Sequence, residues 1–228
     1  MPPLGIGAGE ADAHTHADLV SPKNLVRASV HVVVDRPASA GLNFFAIQVD
    51  FANGTWAHGG VQEVTGENGA RKRQVNWGGL VDRGGGSTDY DAEQDLIDID
   101  RIQNPPTGQH LGPYDWKNGV EYEYVVQRGA LVRLPPGDYR YLPERATVHV
   151  DHERSMWEWH FTVRPVIGPG VPFSATLYCS ADSVKNFMVW NEAGYGSKAS
   201  DQHTTWSSPL FQVNGAGVDQ SPTAWKRF

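Results

Sequence analysis

The chain of 228 residues predicts an all-β fold, two antiparallel sheets stacked as a jelly-roll β-sandwich, and three observations carry that prediction. Apolar and polar residues alternate with period two over short runs; Gly, Pro and Asn punctuate the runs; and helical periodicity is almost missing. Eight tryptophans are scattered through these runs, more indole than a core readily absorbs, which leaves aromatic surface for a ligand face.

From Val26 to Val34 the even residues Val26, Ala28, Val30, Val32 and Val34 share one side and Arg27, Ser29, His31 and Val33 the other, as in a half-buried strand. Asn43 to Phe51 sets Phe45, Ile47, Val49 and Phe51 against Phe44, Ala46, Gln48 and Asp50, and Asn53-Gly54 supplies a tight hairpin. Its partner is Thr55 to Val64, where Trp56, His58 and Gln62 share a face and Gly59-Gly60 leaves room for a bulge or a close backbone approach. Further strands are expected at 74–78, 121–128, 146–151, 156–163, 173–179, 187–191 and 209–213. Asn118-Gly119 and Pro135-Pro136-Gly137 supply the turn chemistry around the Tyr122/Tyr124/Val126 strand. Only Asp89 to Gln103 is ambiguous: Thr88 suits an N-cap, yet Ile97 and Ile99 alternate with Asp98 and Asp100 as a strand would.

No composition break divides the chain, so a single sandwich domain is expected over 25–214, with an N-terminal arm at 1–24, a long loop or insertion at 84–114 and a C-terminal tail at 215–228. A net charge of −7 with dispersed Lys and Arg argues against a nucleic-acid partner. The one basic run, Arg71-Lys72-Arg73, reads as a solvated hairpin tip beside Glu67-Asn68-Gly69. Cys179 stands alone, which excludes an intrachain disulfide, and its Ala and Leu neighbours suit a small buried hydrophobe. No apolar stretch is long enough for a membrane span. The compartment stays open: cytoplasmic if Met1 is the native start, exported if a leader preceded it.

Phe45-Ala46-Ile47-Gln48, the Trp56 to Gln62 strand, Val75 to Leu80 with Gly84-Gly85-Gly86, and Tyr114 to Gly119 leading into Tyr122 form one ordered set of short motifs. Met156 to Trp159, Val189 to Glu192 and Trp206 to Pro209 continue it. Together they resemble a bacterial domain family of unknown function with a concanavalin-like jelly-roll fold, often found beside carbohydrate-active modules. The resemblance implies that fold more than any activity. Glucanases of similar architecture carry a Glu-x-Asp-x-x-Glu strand that this chain lacks, and alginate lyases of similar size a Gln-Ile-His strand where it has Gln48-Val49-Asp50.

Strand parity lets Gln48, Trp56, His58, Gln62, Asn76, Trp190 and Glu192 point away from the apolar core onto one sheet face, and Trp77 is added as a ligand-binding candidate beside Asn76. Flat indoles with planar amides match the apolar faces and hydroxyl rims of sugars, so carbohydrate binding is the leading expectation. An enzyme on the same groove is the alternative. β-Elimination would draw on His58 as base, Tyr122 or Tyr124 as proton donor, and Gln62 or Arg83 to neutralise a uronate. Hydrolysis would draw on Glu192 with Glu158 or Asp50. A small-molecule cyclase with Trp and Phe walls, and an oligomer that covers the aromatic face, are further alternatives.

No metal is assigned, and no cofactor is expected apart from the calcium alternative that follows. His14-Thr15-His16 with Asp12 and Asp18 has metal-binding residue types, but its Ala/Gly/Pro setting reads as a disordered arm with adventitious binding. His149, Asp151 and His152 lack a ligand spacing and read as a surface turn. Asp89, Asp91, Glu93, Asp95 and Asp100 leave calcium as an alternative to a solvated acidic segment, since Gln94 stands where the sharp-turn Gly belongs. The glycine runs fit no phosphate loop, and there is no Gly-x-Ser-x-Gly elbow.

Overall fold

The computed structural model describes residues 4–6, 14–19, 23–38, 41–65, 69–80, 97–98, 111–141, 147–150, 152–194, 202–215, 219–220 and 225–227. Every regular element among them is a β-strand, and the pairings resolve into two antiparallel layers, as the alternation predicts. Sheet A runs β17 (Trp225–Arg227), β2 (His14–Leu19), β14 (Val184–Gly194), β4 (Leu42–Phe51), β5 (Trp56–Thr65), β6 (Arg71–Leu80) and β8 (Leu111–Pro113). Sheet B runs β15 (His203–Val213), β3 (Leu25–Arg36), β9 (Glu121–Leu134), β12 (Arg154–Pro165), β13 (Phe173–Cys179), β7 (Ile97–Asp98), β10 (Gly137–Tyr141) and β11 (Thr147–Val150). The short strands β1 (Leu4–Ile6) and β16 (Asp219–Gln220) pair with the free side of β15. A single pairing, Val184 with Leu25, joins the layers at one corner. The architecture is a jelly-roll β-sandwich.

Alternation fills the space between the layers. Sheet A contributes Phe45, Ile47, Val49, Phe51, Val61, Val75, Trp77 and Phe187; sheet B contributes Val30, Val32, Tyr124, Trp159, Phe161, Leu177 and Trp206, all in one core. The indoles of Trp77, Trp159 and Trp116 and the phenol of Tyr124 find partners for their polar atoms, which avoids the 1–3 kcal/mol or so that a buried unmet donor costs. Trp77 Nε1 donates to the Trp159 carbonyl at 3.3 Å, Trp159 Nε1 to that of Ala181 at 3.1 Å, and Trp116 Nε1 to that of Gln62 at 3.1 Å. The Tyr124 hydroxyl, entering from sheet B, donates to the Phe45 carbonyl at 3.1 Å and accepts the Val61 amide at 2.9 Å, pinning the layers together.

The paired glycines of β5 allow close approach. A Cβ on Gly59 would lie 2.7 Å from the Trp77 ring and 2.8 Å from that of Phe161, and one on Gly60 would lie 2.0 Å from the Phe45 carbonyl oxygen. The β4–β5 register passes through them without a shift, so of the two expected roles it is close approach that the residues fill. Bulges fall elsewhere. One lies in β9 at Gly129-Ala130, opposite Trp157 to Trp159. Another lies in β15, where Ser208 has φ +49° and Pro209 interrupts the ladder.

Several local expectations change. Arg71 and Arg73 reach the buried Glu63 carboxylate, at 2.9 and 2.8 Å, and Arg73 also lies 4.2 Å over the Trp116 ring, so the two arginines cap the core end while Arg71 and Lys72 stay exposed beside the hairpin turn. The stretch assigned to an N-terminal arm contributes β1 and β2, and the C-terminal tail contributes β16 and β17. Within the expected long loop, 97–98 and 111–113 are strands; the rest of 84–110, with the calcium alternative it carries, lies outside the described residues. Cys179 is buried against the core, and burial pushes its thiol pKa up.

Candidate functional site

The face of sheet A turned away from the core gathers most of the predicted residues, because four long strands stand in register there. Across β14, β4, β5 and β6, one row reads Met188, Gln48, His58, Gly78; the next Trp190, Ala46, Gly60, Asn76; the next Glu192, Phe44, Gln62, Gln74. Asp50 pairs with Trp56 one row beyond His58. Four strands side by side span about 14 Å, and the seven residues from Trp56 to Gln62 roughly 20 Å. Ala46, Gly60 and Gly78 make a low floor between the larger side chains.

Aromatic rings form a continuous chain over this floor. Trp56 and His58 have centroids 5.2 Å apart, His58 and Trp190 5.7 Å, and Phe44 meets His58 at 5.4 Å and Trp190 at 5.5 Å. Phe44 and Trp190 are largely buried, at 2% and 8% exposure, in a small apolar cluster with Leu42 and Ala46. Trp56, His58, Gln48, Gln62, Asn76 and Glu192 are half-buried, so their outer edges reach solvent. Amides are held in place: Gln48 Nε2 donates to Asp50 Oδ1 and Asn186 Nδ2 to Asp50 Oδ2, each at 3.0 Å, and Gln74 Nε2 donates to Gln62 Oε1 at 3.0 Å. Burial raises the Glu192 carboxyl above the ordinary glutamate range, since a half-desolvated carboxylate loses hydration.

Other candidates lie elsewhere. Trp77 is on the core side of β6, fully buried and stacked on Phe161 at 5.0 Å, so it is a packing residue. Tyr122 belongs to β9 of sheet B, buried, with its hydroxyl accepting the Lys117 amide, far from the aromatic chain on sheet A. Tyr124 is committed to the interlayer bonds described above. Glu158 lies in sheet B, where it accepts the Ala130 amide at 3.1 Å. Arg83 lies outside the described residues. Asp50 does share the face with Glu192, but it pairs with Asn186, six residues along β14 from Glu192, which separates the carboxylates by about 20 Å. Glycosidic hydrolysis by two carboxyls needs roughly 5–10 Å. Neither carboxylate partner considered for Glu192 fits. Phe44 and Gln74 were missing from the expected set although their parity with Gln48 and Asn76 puts them on this face.

Two clefts open at one end of the sandwich. One, of about 590 Å³, lies between residues 113–122 and 165–173, walled by Tyr114, Tyr122 and Phe173, with Ile167 and Val171 exposed at its rim. Burial, with Tyr122 beside it, pushes the Tyr114 hydroxyl up to about 12. The second adjoins it at Arg71, Arg73 and Lys117. The sandwich interior that a cyclase would use is filled by Trp77, Trp116, Trp159 and Trp206.

No family model matches the chain. No curated protein matches it either. Among solved structures, an alginate lyase variant in complex with an alginate tetrasaccharide is similar over 92% of this chain and 80% of that one, with TM-score 0.41 and 6% sequence identity.

Proposed function

We propose that the protein binds carbohydrate on the outer face of sheet A, with Trp56 and His58 as the ring platform, Trp190 as their buried support, and Gln48, Gln62, Asn76 and Glu192 as the hydrogen-bonding rim. The observation that carries the reading is the register: four neighbouring strands bring these residues into adjacent rows over a floor of Ala46, Gly60 and Gly78. A stacked sugar buries its C–H face on an indole while its hydroxyls meet amides already oriented by their neighbours. Membership of the bacterial jelly-roll family described above is part of the same proposal.

A catalytic second reading draws on one observation, the elevated Glu192 carboxyl on a face that also holds an imidazole. Both readings are separated by one experiment. Neutral and uronic-acid polysaccharides are run in affinity electrophoresis, and each mixture is assayed for new reducing or unsaturated ends. Binding predicts retardation that Trp56→Ala reduces at least about tenfold, with no new ends. New ends that disappear in His58→Ala and Glu192→Gln would establish catalysis; no retardation by any glycan would refute the carbohydrate proposal.

A further inference from the structure

The two clefts at the end of the sandwich differ in chemistry on either side of Tyr114. The larger, of about 590 Å³, is walled by Tyr114, Tyr122, Phe173 and Val120, a volume and lining in the range of small-molecule sites. Tyr114 meets Tyr122 edge to face at 6.1 Å and Phe173 at 6.4 Å, so the rings line an apolar slot. Both walls are fixed by the chain itself. On one, the Tyr122 hydroxyl accepts the Lys117 amide at 2.9 Å, and the Tyr114 amide donates to the Arg73 carbonyl at 3.2 Å. On the other, the Val166 amide donates to the Glu121 carbonyl at 2.9 Å, and Gly170 packs so closely on Pro165 that a Cβ there would lie 2.3 Å from the proline ring. This turn holds Ile167 and Val171 in solvent, at 83% and 82% exposure, with Val166 beside them; the other exposed large hydrophobic among the described residues is Leu131. Branched apolar side chains clustered in solvent beside an apolar cleft mark a binding surface.

We propose that this cleft binds a small hydrophobic anion, an aromatic or alicyclic body carrying one carboxylate or sulfonate, with the body between Tyr114, Tyr122 and Phe173 and the charge toward Lys117 and Arg71. The second cleft decides the charge. It continues past Tyr114 and is lined by Arg71, Arg73 and Lys117 against Glu63 and Asp115, so cations outnumber carboxylates. Glu63 is buried between both arginines, and Arg73 is further committed to the Trp116 carbonyl and the Asn118 side chain. Lys117 is 59% exposed and meets Asp115, itself 80% exposed, in a surface ion pair that costs little to rearrange around an incoming anion. A neutral hydrophobe would leave this cationic edge without a counterpart. Because the walls are already held in place, little ordering opposes binding. None of the lining residues belongs to the rows on the outer face of sheet A, so the site stands whether or not that face binds glycans.

The test titrates the full chain at neutral pH with two fluorescent dyes: 1-anilinonaphthalene-8-sulfonate, an aromatic body with one sulfonate, and N-phenyl-1-naphthylamine, the same body without it. The expected result is one equivalent of the anionic dye, bound at least about tenfold tighter than the neutral one. Tyr114→Ala and Ile167→Asp should each weaken the anion at least about tenfold, and Lys117→Gln should narrow the ratio between the dyes at least about threefold. Circular dichroism identifies folded variants; Ile167 stands on an exposed turn, so Ile167→Asp keeps the test decisive if Tyr114→Ala unfolds. No saturable binding, more than one equivalent, equal affinity for the two dyes, or an affinity unchanged in Ile167→Asp would overturn the site. Loss of the anion in Trp56→Ala would move it to sheet A, and sedimentation with phosphatidylglycerol vesicles without dye saturation would assign the apolar rim to a membrane surface instead.

Discussion

Asn76 and Trp77 are neighbours on β6, and one peptide step carries the chain from one side of sheet A to the other. On Trp77's side, large rings are fully buried, and the indoles of Trp77, Trp116 and Trp159 and the phenol of Tyr124 bond to backbone groups. On Asn76's side, rings touch edge to face, amides bond mainly to one another or to Asp50, and burial raises the carboxyl of a glutamate above its ordinary range. The first side holds the molecule together. The second keeps hydrogen-bonding capacity and aromatic area at the surface, at a cost in stability that a purely structural sheet would not carry.

That contrast can be broken by substitution. Trp77→Ala should destabilise most, by about 3–5 kcal/mol, read from the shift in urea midpoint, because it empties the centre of the core. Tyr124→Phe should cost about 1–3 kcal/mol by the same measurement, since it withdraws the hydroxyl from the buried Val61 amide and Phe45 carbonyl. Glu192→Gln tests the other side through pH. Below the ordinary glutamate range both folded and unfolded chains are protonated and burial of this carboxyl costs nothing; as pH rises through the elevated folded value, stability is lost. The melting temperatures of wild type and Glu192→Gln should therefore coincide at acid pH and separate at neutral pH, the variant melting higher. Trp56→Ala should move the urea midpoint least, under about 1 kcal/mol, while removing the ring platform. A large stability loss there would place Trp56 with the core residues.

The fold was readable because alternation is a local property. Val26 to Val34 and Phe45 to Phe51 show their buried sides directly, and so do Gln48, His58 and Gln62 on the opposite side. Parity also contained two warnings. Asn76 and Trp77 are adjacent and cannot share a face, and Tyr122 has the parity of Tyr124 and Val126, a strand's apolar side. Which layer a strand joins is a long-range matter that alternation does not encode, so Tyr122 and Glu158 were grouped with a sheet they do not enter. Ala, Gly and Pro around His14-Thr15-His16 suggest an arm, whereas its strand character comes from its partner β14, not from propensity. The first half of β15 was missed because Ser208 and Pro209 break its alternation at the bulge.

The place of β14 sets the order in which the molecule can assemble. Its partners β2 and β4 come from the first quarter of the chain, while β14 itself spans Val184–Gly194. During synthesis the hydrogen-bonding margins of those early strands therefore stay unmatched until most of the polypeptide has emerged, and loops of more than a hundred residues must close before sheet A is whole. Slow refolding follows from such long-distance pairing. So does a vulnerable interval in which the margin of β4, rich in Phe, is open to a strand from another nascent chain.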